Sequence, residues 1–91
     1  MTEEFLKMEK YYVYFARCSD DSLYAGYTTD LKKREQRHNQ GRGARYTRIR
    51  RPVEIIYSEE FNTKSEAMKR EYELKHLRKE DKERLVLSAE R

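Results

Sequence analysis

Two short runs rich in aromatic and β-branched residues, Tyr11 to Cys18 and Leu23 to Thr28, are separated only by Ser19-Asp20-Asp21-Ser22. Strand formers on both sides of a cluster of turn formers specify a β-hairpin. Side chains alternate across a strand, so the register of this hairpin decides which tyrosines share a face. If Cys18 pairs with Leu23 across a four-residue loop, Tyr14 faces Tyr27 and Tyr24 projects from the opposite side. A three- or five-residue loop instead places Tyr12, Tyr14, Ala16, Tyr24, Gly26 and Thr28 together. Val13, Phe15, Leu23, Ala25 and Tyr27 then form the other, more uniformly apolar face. The second arrangement requires Asp20 or Asp21 in a left-handed conformation, which Asp tolerates better than most residues.

Punctuation along the chain supplies the remaining elements. Thr29 or Asp30 can cap a helix from Leu31 to about Gln40, which Gly41 stops. Residues 41 to 51 follow as a basic loop. Pro52 opens a third strand, Val53 to Glu60, in which Val53, Ile55 and Tyr57 alternate with Glu54, Ile56 and Ser58. Thr63-Lys64-Ser65-Glu66 has the capping-box pattern for a helix through about Leu77. A last helical segment, Glu80 to Ser88, is docked by Leu85 and Leu87. The expected fold is α+β: a small three-stranded antiparallel sheet flanked by about three helices. One domain spans residues 11 to 88, after a flexible stretch over residues 1 to 10 and before a short tail at 89 to 91.

With 42% charged residues, only the apolar area of eight tyrosines and three phenylalanines separates this chain from a disordered one. Its 91 residues leave room for a single small core. The lone cysteine, Cys18, can form no internal disulfide. No run resembles a secretory signal or approaches the roughly 20 apolar residues of a membrane span, so the cytoplasm is the expected compartment.

The net charge of +4 is unevenly spread: residues 1 to 31 carry −3, residues 53 to 91 carry −1, and residues 32 to 52 carry +8. The basic stretch contains Lys32, Lys33, Arg34, Arg37, Arg42, Arg45, Arg48, Arg50 and Arg51 against the single acid Glu35. A block of this kind attracts a polyanion through counterion release, and the interleaved Tyr46 could stack on a base or sugar. A nucleic acid is the expected partner, and DNA more than RNA.

The helix inside that stretch has one aliphatic residue, Leu31, and the positions in line with it are Arg34, Glu35 and His38. An arginine and a histidine are thereby turned toward the protein. On the later helix, Ala67, Met68, Glu71, Tyr72, Leu74 and Lys75 share a face, which sets the Glu71 carboxylate in an otherwise apolar stripe. A buried carboxylate requires a cationic partner or a metal.

In Tyr12-Val13-Tyr14 and Tyr24-Ala25-Gly26 the residues Tyr14 and Tyr24 stand ten apart, Arg34 follows after ten more, and His38-Asn39 comes one helical turn later. Gly43-Ala44-Arg45-Tyr46-Thr47-Arg48, Arg51-Pro52-Val53 and the Glu71 helix come after them. This combination resembles the GIY-YIG nuclease family, in particular its small stand-alone bacterial members, over most of the chain. Tyr12 stands where the name motif has Gly, and Tyr27 where several members carry a lysine.

The resemblance implies an endonuclease that hydrolyses phosphodiester bonds with one divalent cation, Mg²⁺ or Mn²⁺, held by Glu71. The residue types suit metal-assisted hydrolysis, which needs a water deprotonated and aimed, and positive charge at the phosphorus centre. Tyr14 is the candidate base or water-orienting group, His38 accepts or relays its proton, Tyr24 holds water or phosphate, and Arg34 stabilises charge. The two tyrosines could exchange roles. Gly26 is expected to let phosphate approach the strand, with Thr28, Asn39 and Tyr46 in support. Lys32, Lys33, Arg37, Arg42, Arg45, Arg48, Arg50 and Arg51 would grip the backbone. The alternative is an inert nucleic-acid-binding module on the same fold. Sequence preference is expected to be weak and the protein a monomer or weak dimer.

Overall fold

In the computed structural model, which describes residues 9–89, the hairpin forms from β1 (Tyr11–Arg17) and β2 (Leu23–Thr28). Tyr14 lies opposite Gly26, Tyr12 opposite Thr28 and Ala16 opposite Tyr24, so the paired tyrosines share a face. The turn produces this register. The Cys18 amide donates to the Ser22 carbonyl at 2.9 Å, the Asp21 amide donates to the Cys18 carbonyl at 2.9 Å, and Asp21 adopts a φ of 71°. Asp20 steadies the loop by accepting the Ser22 amide and hydroxyl at 3.1 and 2.6 Å.

β3 (Glu54–Phe61) pairs with the other side of β1, giving an antiparallel sheet of order β2-β1-β3. The simple alternation expected for this strand does not hold. Ile55 lies opposite Ala16 and Tyr57 opposite Phe15, which leaves Ile56 as the extra residue of a bulge. Val53 and Ile55 consequently pack with Tyr14 and Ala16, whereas Ile56, Tyr57 and Phe61 pack with Val13 and Phe15 on the other face.

The sheet is therefore apolar on both sides, and helices cover each. Val13, Phe15 and Ala25 form the main core with Ala67 and Leu74 of α3 (Lys64–Lys75) and Val86 of α4 (Lys79–Ala89). On α3 the buried stripe is narrower than expected, because Met68 and Tyr72 are exposed and only Ala67 and Leu74 are fully enclosed. On α4 it is Val86, aided by half-buried Leu85, that docks the helix, while Leu87 points to solvent. An ion pair between Arg17 and Glu83, with bonds of 2.6 and 2.8 Å, fixes α4 to the end of β1.

α1 (Leu31–Asn39) lies on the opposite face, where Leu31 joins Tyr14, Ala16, Cys18, Tyr24, Val53 and Ile55. Asp30 is its cap, accepting the Lys33 amide at 3.0 Å. Thr63 caps α3 in the same way through the Glu66 amide at 3.2 Å, as the capping-box pattern predicts. The segment between α1 and β3 is not simply a loop: Arg45–Arg48 form the single turn α2, which makes four helices among the described residues. Of the expected flexible ends, residues 1–8 and 90–91 lie outside the described chain. Lys10 is anchored to Asn62 at 2.6 Å.

Candidate active site

Alternation along β1 and β2, set by the hairpin register, brings Tyr14 and Tyr24 together with ring centroids 6.5 Å apart. Gly26 sits directly opposite Tyr14, and a Cβ at that position would overlap the Tyr14 hydroxyl. The close approach expected of a phosphate at Gly26 is thus made by the Tyr14 phenol. Glycine is needed here to give that ring its place. Tyr14 is enclosed, and its hydroxyl meets His38 Nε2 at 2.8 Å.

α1 supplies His38 exactly one turn beyond Arg34, and the imidazole is as buried as the phenol. Its other nitrogen, Nδ1, lies 2.8 Å from the Thr47 hydroxyl of α2. Thr47 in turn donates to the Ala44 carbonyl at 3.0 Å. A hydroxyl has one proton, so with that proton committed to Ala44 the Thr47 oxygen accepts from His38. Nδ1 therefore carries the imidazole hydrogen and Nε2 presents its lone pair to the Tyr14 O–H. The chain of donors runs Tyr14 to His38 to Thr47 to the Ala44 carbonyl. Gly43 makes the overlying loop possible, since a Cβ there would collide with the His38 ring.

Electrostatics keep both members of this pair uncharged. Burial raises the Tyr14 phenol far above its ordinary range; the neighbouring Tyr24 and Glu71 add to the rise, and Arg34 opposes it. Burial, followed by the nearby Arg34 charge, lowers His38 below its ordinary value. Arg34 is half-buried and has no carboxylate within ion-pair distance among the described residues. Its neighbour Glu35 instead accepts the Ile55 amide at 2.8 Å. The guanidinium charge is near enough to act on both Tyr14 and His38.

Glu71 reaches the same place from α3. Its side chain is 17% exposed, and Lys75, one turn along, approaches it at 3.4 Å. The Lys75 ammonium also stands 5.9 Å from the Tyr24 ring. Tyr27 pairs with Val13 and stacks on Tyr11, which places it on the face away from Tyr14. Lys75 thus adds a cation beside Tyr24 to the Arg34 charge near Tyr14. Tyr14, Tyr24, Arg34, His38 and Glu71, drawn from four elements, converge at one site.

The supporting candidates divide. Asn39 donates to the Val53 carbonyl at 2.9 Å and accepts the Val53 amide at 2.7 Å, so it ties the chain entering β3 to α1. Thr28 bonds the backbone of Asp30 and holds the link between β2 and α1. Tyr46 stacks on Tyr24 at 5.9 Å, donates to Ser22, and has the Arg50 guanidinium 3.8 Å from its ring centre.

Arg50 is further held by Asp20 and the Tyr46 carbonyl, and Arg51 by the carbonyls of Arg48 and Asn39. Lys32, Lys33, Arg37, Arg42, Arg45 and Arg48 are exposed, with no ion-pair partner among the described residues. Sequence reasoning gives Thr47 and Gly43 no role of their own, although both lie in the run of residues 43 to 48 that carries the family resemblance.

A single carboxylate suits a hard cation whose remaining ligands are waters and phosphate oxygens. No group of three or more His, Cys, Asp or Glu residues that could cage a metal occurs among the described residues. No described helix is long and apolar enough to cross a membrane.

Residues 10–84 match the GIY-YIG catalytic domain. A UPF0213 protein of Staphylococcus saprophyticus is 53% identical over 79 residues, covering 87% of this chain and 96% of that protein. A UPF0213 protein of Staphylococcus aureus is 51% identical with the same coverage. The solution structure of a UPF0213 protein from Bacillus halodurans is 48% identical, covers 85% of this chain and 82% of its own, and superposes with a TM-score of 0.55. The solution structure of a protein from E. faecalis is 41% identical, with coverage of 89% and 86% and a TM-score of 0.59. With a match over most of its length and relatives above 50% identity, the chain belongs to the GIY-YIG family of nucleases.

Proposed function

We propose that this protein is a divalent-metal-dependent endonuclease that hydrolyses phosphodiester bonds in DNA with weak sequence preference. The observation that carries the reading is the buried Tyr14–His38–Thr47 chain, which ends on Tyr14 within reach of the Arg34 and Glu71 charges. A phenol raised so far by burial does not rest as phenolate, so it cannot act alone as a base. The Nε2 lone pair of His38 provides the outlet. As an attacking water gives its proton to the Tyr14 oxygen, the phenol proton passes to His38, and free phenolate never accumulates.

Arg34, adjacent and without a carboxylate partner among the described residues, is the group to balance charge gathering on the phosphate oxygens. Tyr24, on the same face, holds the water or phosphate in line. Glu71 is the residue to hold Mg²⁺ or Mn²⁺, which when bound would supply Lewis acidity toward the phosphate and leaving oxygen. The exposed Lys32, Lys33, Arg37, Arg42, Arg45 and Arg48 lie on the elements that flank this site and suit the nucleic-acid backbone.

Supercoiled plasmid incubated with wild-type, Arg34→Ala and Glu71→Ala proteins in Mg²⁺, Mn²⁺ or EDTA tests the proposal. The expected result is metal-dependent nicking that disappears in both variants. Binding to DNA without cleavage under every metal condition would replace it with an inert binding module.

A further inference from the structure

All surplus positive charge along the sequence lies between residues 32 and 52, yet two lysines from the net-acidic C-terminal part meet beside Tyr24. A cleft of about 330 Å³ is lined by Leu23, Tyr24, Ala25, Tyr46, Lys75 and Lys82. Leu23 and Ala25 belong to one face of β2 and Tyr24 to the other, so the cleft wraps the outer edge of that strand. β2 is an edge strand, with β1 on its other side.

The lysines differ in their partners. Lys75 is shared between Glu71 and the Tyr24 ring. Lys82 is half-buried, and no carboxylate lies within ion-pair distance of it among the described residues. Its neighbours are otherwise paired: Arg78 and Arg84 with Asp81, Lys79 with Glu83, and Glu83 also with Arg17. A half-buried lysine whose ammonium has no carboxylate beside it leaves that charge available to an anion. A polyanion crossing the β2 edge would supply that anion, with the exposed side of Tyr46 beside it.

We propose that this cleft is a second phosphate site, which holds the backbone phosphate neighbouring the one at Tyr14, Arg34 and Glu71. Lys82 is its principal cation and Lys75 its second. The inference rests on the nucleic-acid reading above, and it fixes the path of the strand. The strand runs from the exposed arginines of residues 42 to 48, past Tyr46 and Tyr24, and out over the β2 edge between α3 and α4.

The test is binding of a fluorescein-labelled DNA oligonucleotide in EDTA, across a range of salt, by wild type, Lys82→Gln, Lys75→Gln and Lys69→Gln. Lys69 is a matched control, since it sits on α3 but lines a separate cleft with Phe61, Glu66, Arg70 and Glu73. Removing one phosphate contact lowers the slope of log affinity against log salt by about 1. Lys82→Gln and Lys75→Gln should each lose several-fold in affinity and about one unit of slope, and Lys69→Gln should lose neither. If all three match wild type while Arg42→Gln/Arg45→Gln/Arg48→Gln binds more weakly, the cleft carries no phosphate and the nucleic-acid reading stands. If wild type fails to bind DNA at physiological salt, both are overturned.

Discussion

The chemistry at Tyr14 depends on a hydrogen whose position is fixed two bonds away. Thr47 commits its proton to Ala44, His38 must then donate from Nδ1, and only that tautomer offers Nε2 to the phenol. Thr47→Val removes the acceptor at nearly constant volume and leaves a buried N–H unpaired, at a cost of about 1 to 3 kcal/mol. Turnover should fall roughly 10-fold or more with little change in DNA affinity. Thr47→Ser should restore it, and ¹⁵N spectra of His38 should show the tautomer released only in the valine variant. A valine variant with wild-type turnover and an unchanged ¹⁵N signature would remove Thr47 from this role. The depressed His38 value sets a pH dependence as well. The relay needs neutral imidazole, so activity should persist as pH falls past about 6.5, the ordinary histidine value, and be lost only as pH passes the lower folded value. An acid limb above that point, measured as kcat/KM against pH, would contradict the assignment.

Register is what turns two strands of tyrosines into a site, and it hangs on Asp21. Its φ of 71° is a conformation that glycine adopts without strain, and its side chain makes only an exposed 3.9 Å ion pair with Arg17. Asp21→Gly should therefore hold or raise thermal stability by up to about 1 kcal/mol. Asp21→Val should lower it by about 1 kcal/mol or more, with activity falling in parallel if the hairpin slips. Leu74 is the largest α3 side chain in the main core, and Leu74→Ala should cost about 2 to 5 kcal/mol in chemical denaturation. Much at this level is legible in the sequence, because caps and turns are local. Asp-Asp in a short turn permits the same-face register, and Thr63 with Glu66 announces α3. The bulge at Ile56 is not legible. It is chosen by both faces of β3 at once, since the sheet is apolar on each side and Val53-Glu54-Ile55-Ile56-Tyr57 can serve either. Which of Val86 and Leu87 docks α4 is hidden for a similar reason, as neighbouring aliphatic residues carry no period to separate them.

Across the molecule, charge and fold divide the labour differently from the way a linear count suggests. The stretch 32 to 52 holds the surplus, but Arg50 and Arg51 are consumed in building the loop around Tyr46 and α1, while Lys75 and Lys82 reach the Tyr24 side from a net-acidic segment. Neutralising Arg42, Arg45 and Arg48 together should weaken DNA binding and reduce its salt slope by about 3, a fluorescence titration checking the loss. The convergence of Tyr14, Tyr24, Arg34, His38 and Glu71 was legible from spacing together with family resemblance, whereas Thr47 and Lys82 needed the three-dimensional arrangement. The most direct measurement is single-turnover cleavage of labelled DNA by wild type and Tyr14→Phe in Mg²⁺ and Mn²⁺, with thermal melting of both proteins. Tyr14→Phe keeps the buried ring and removes only the oxygen bonded to His38. Cleavage by wild type and its loss of at least about 100-fold in a variant that remains folded is the predicted result. Equal cleavage by a folded Tyr14→Phe protein would contradict the relay at the centre of this site.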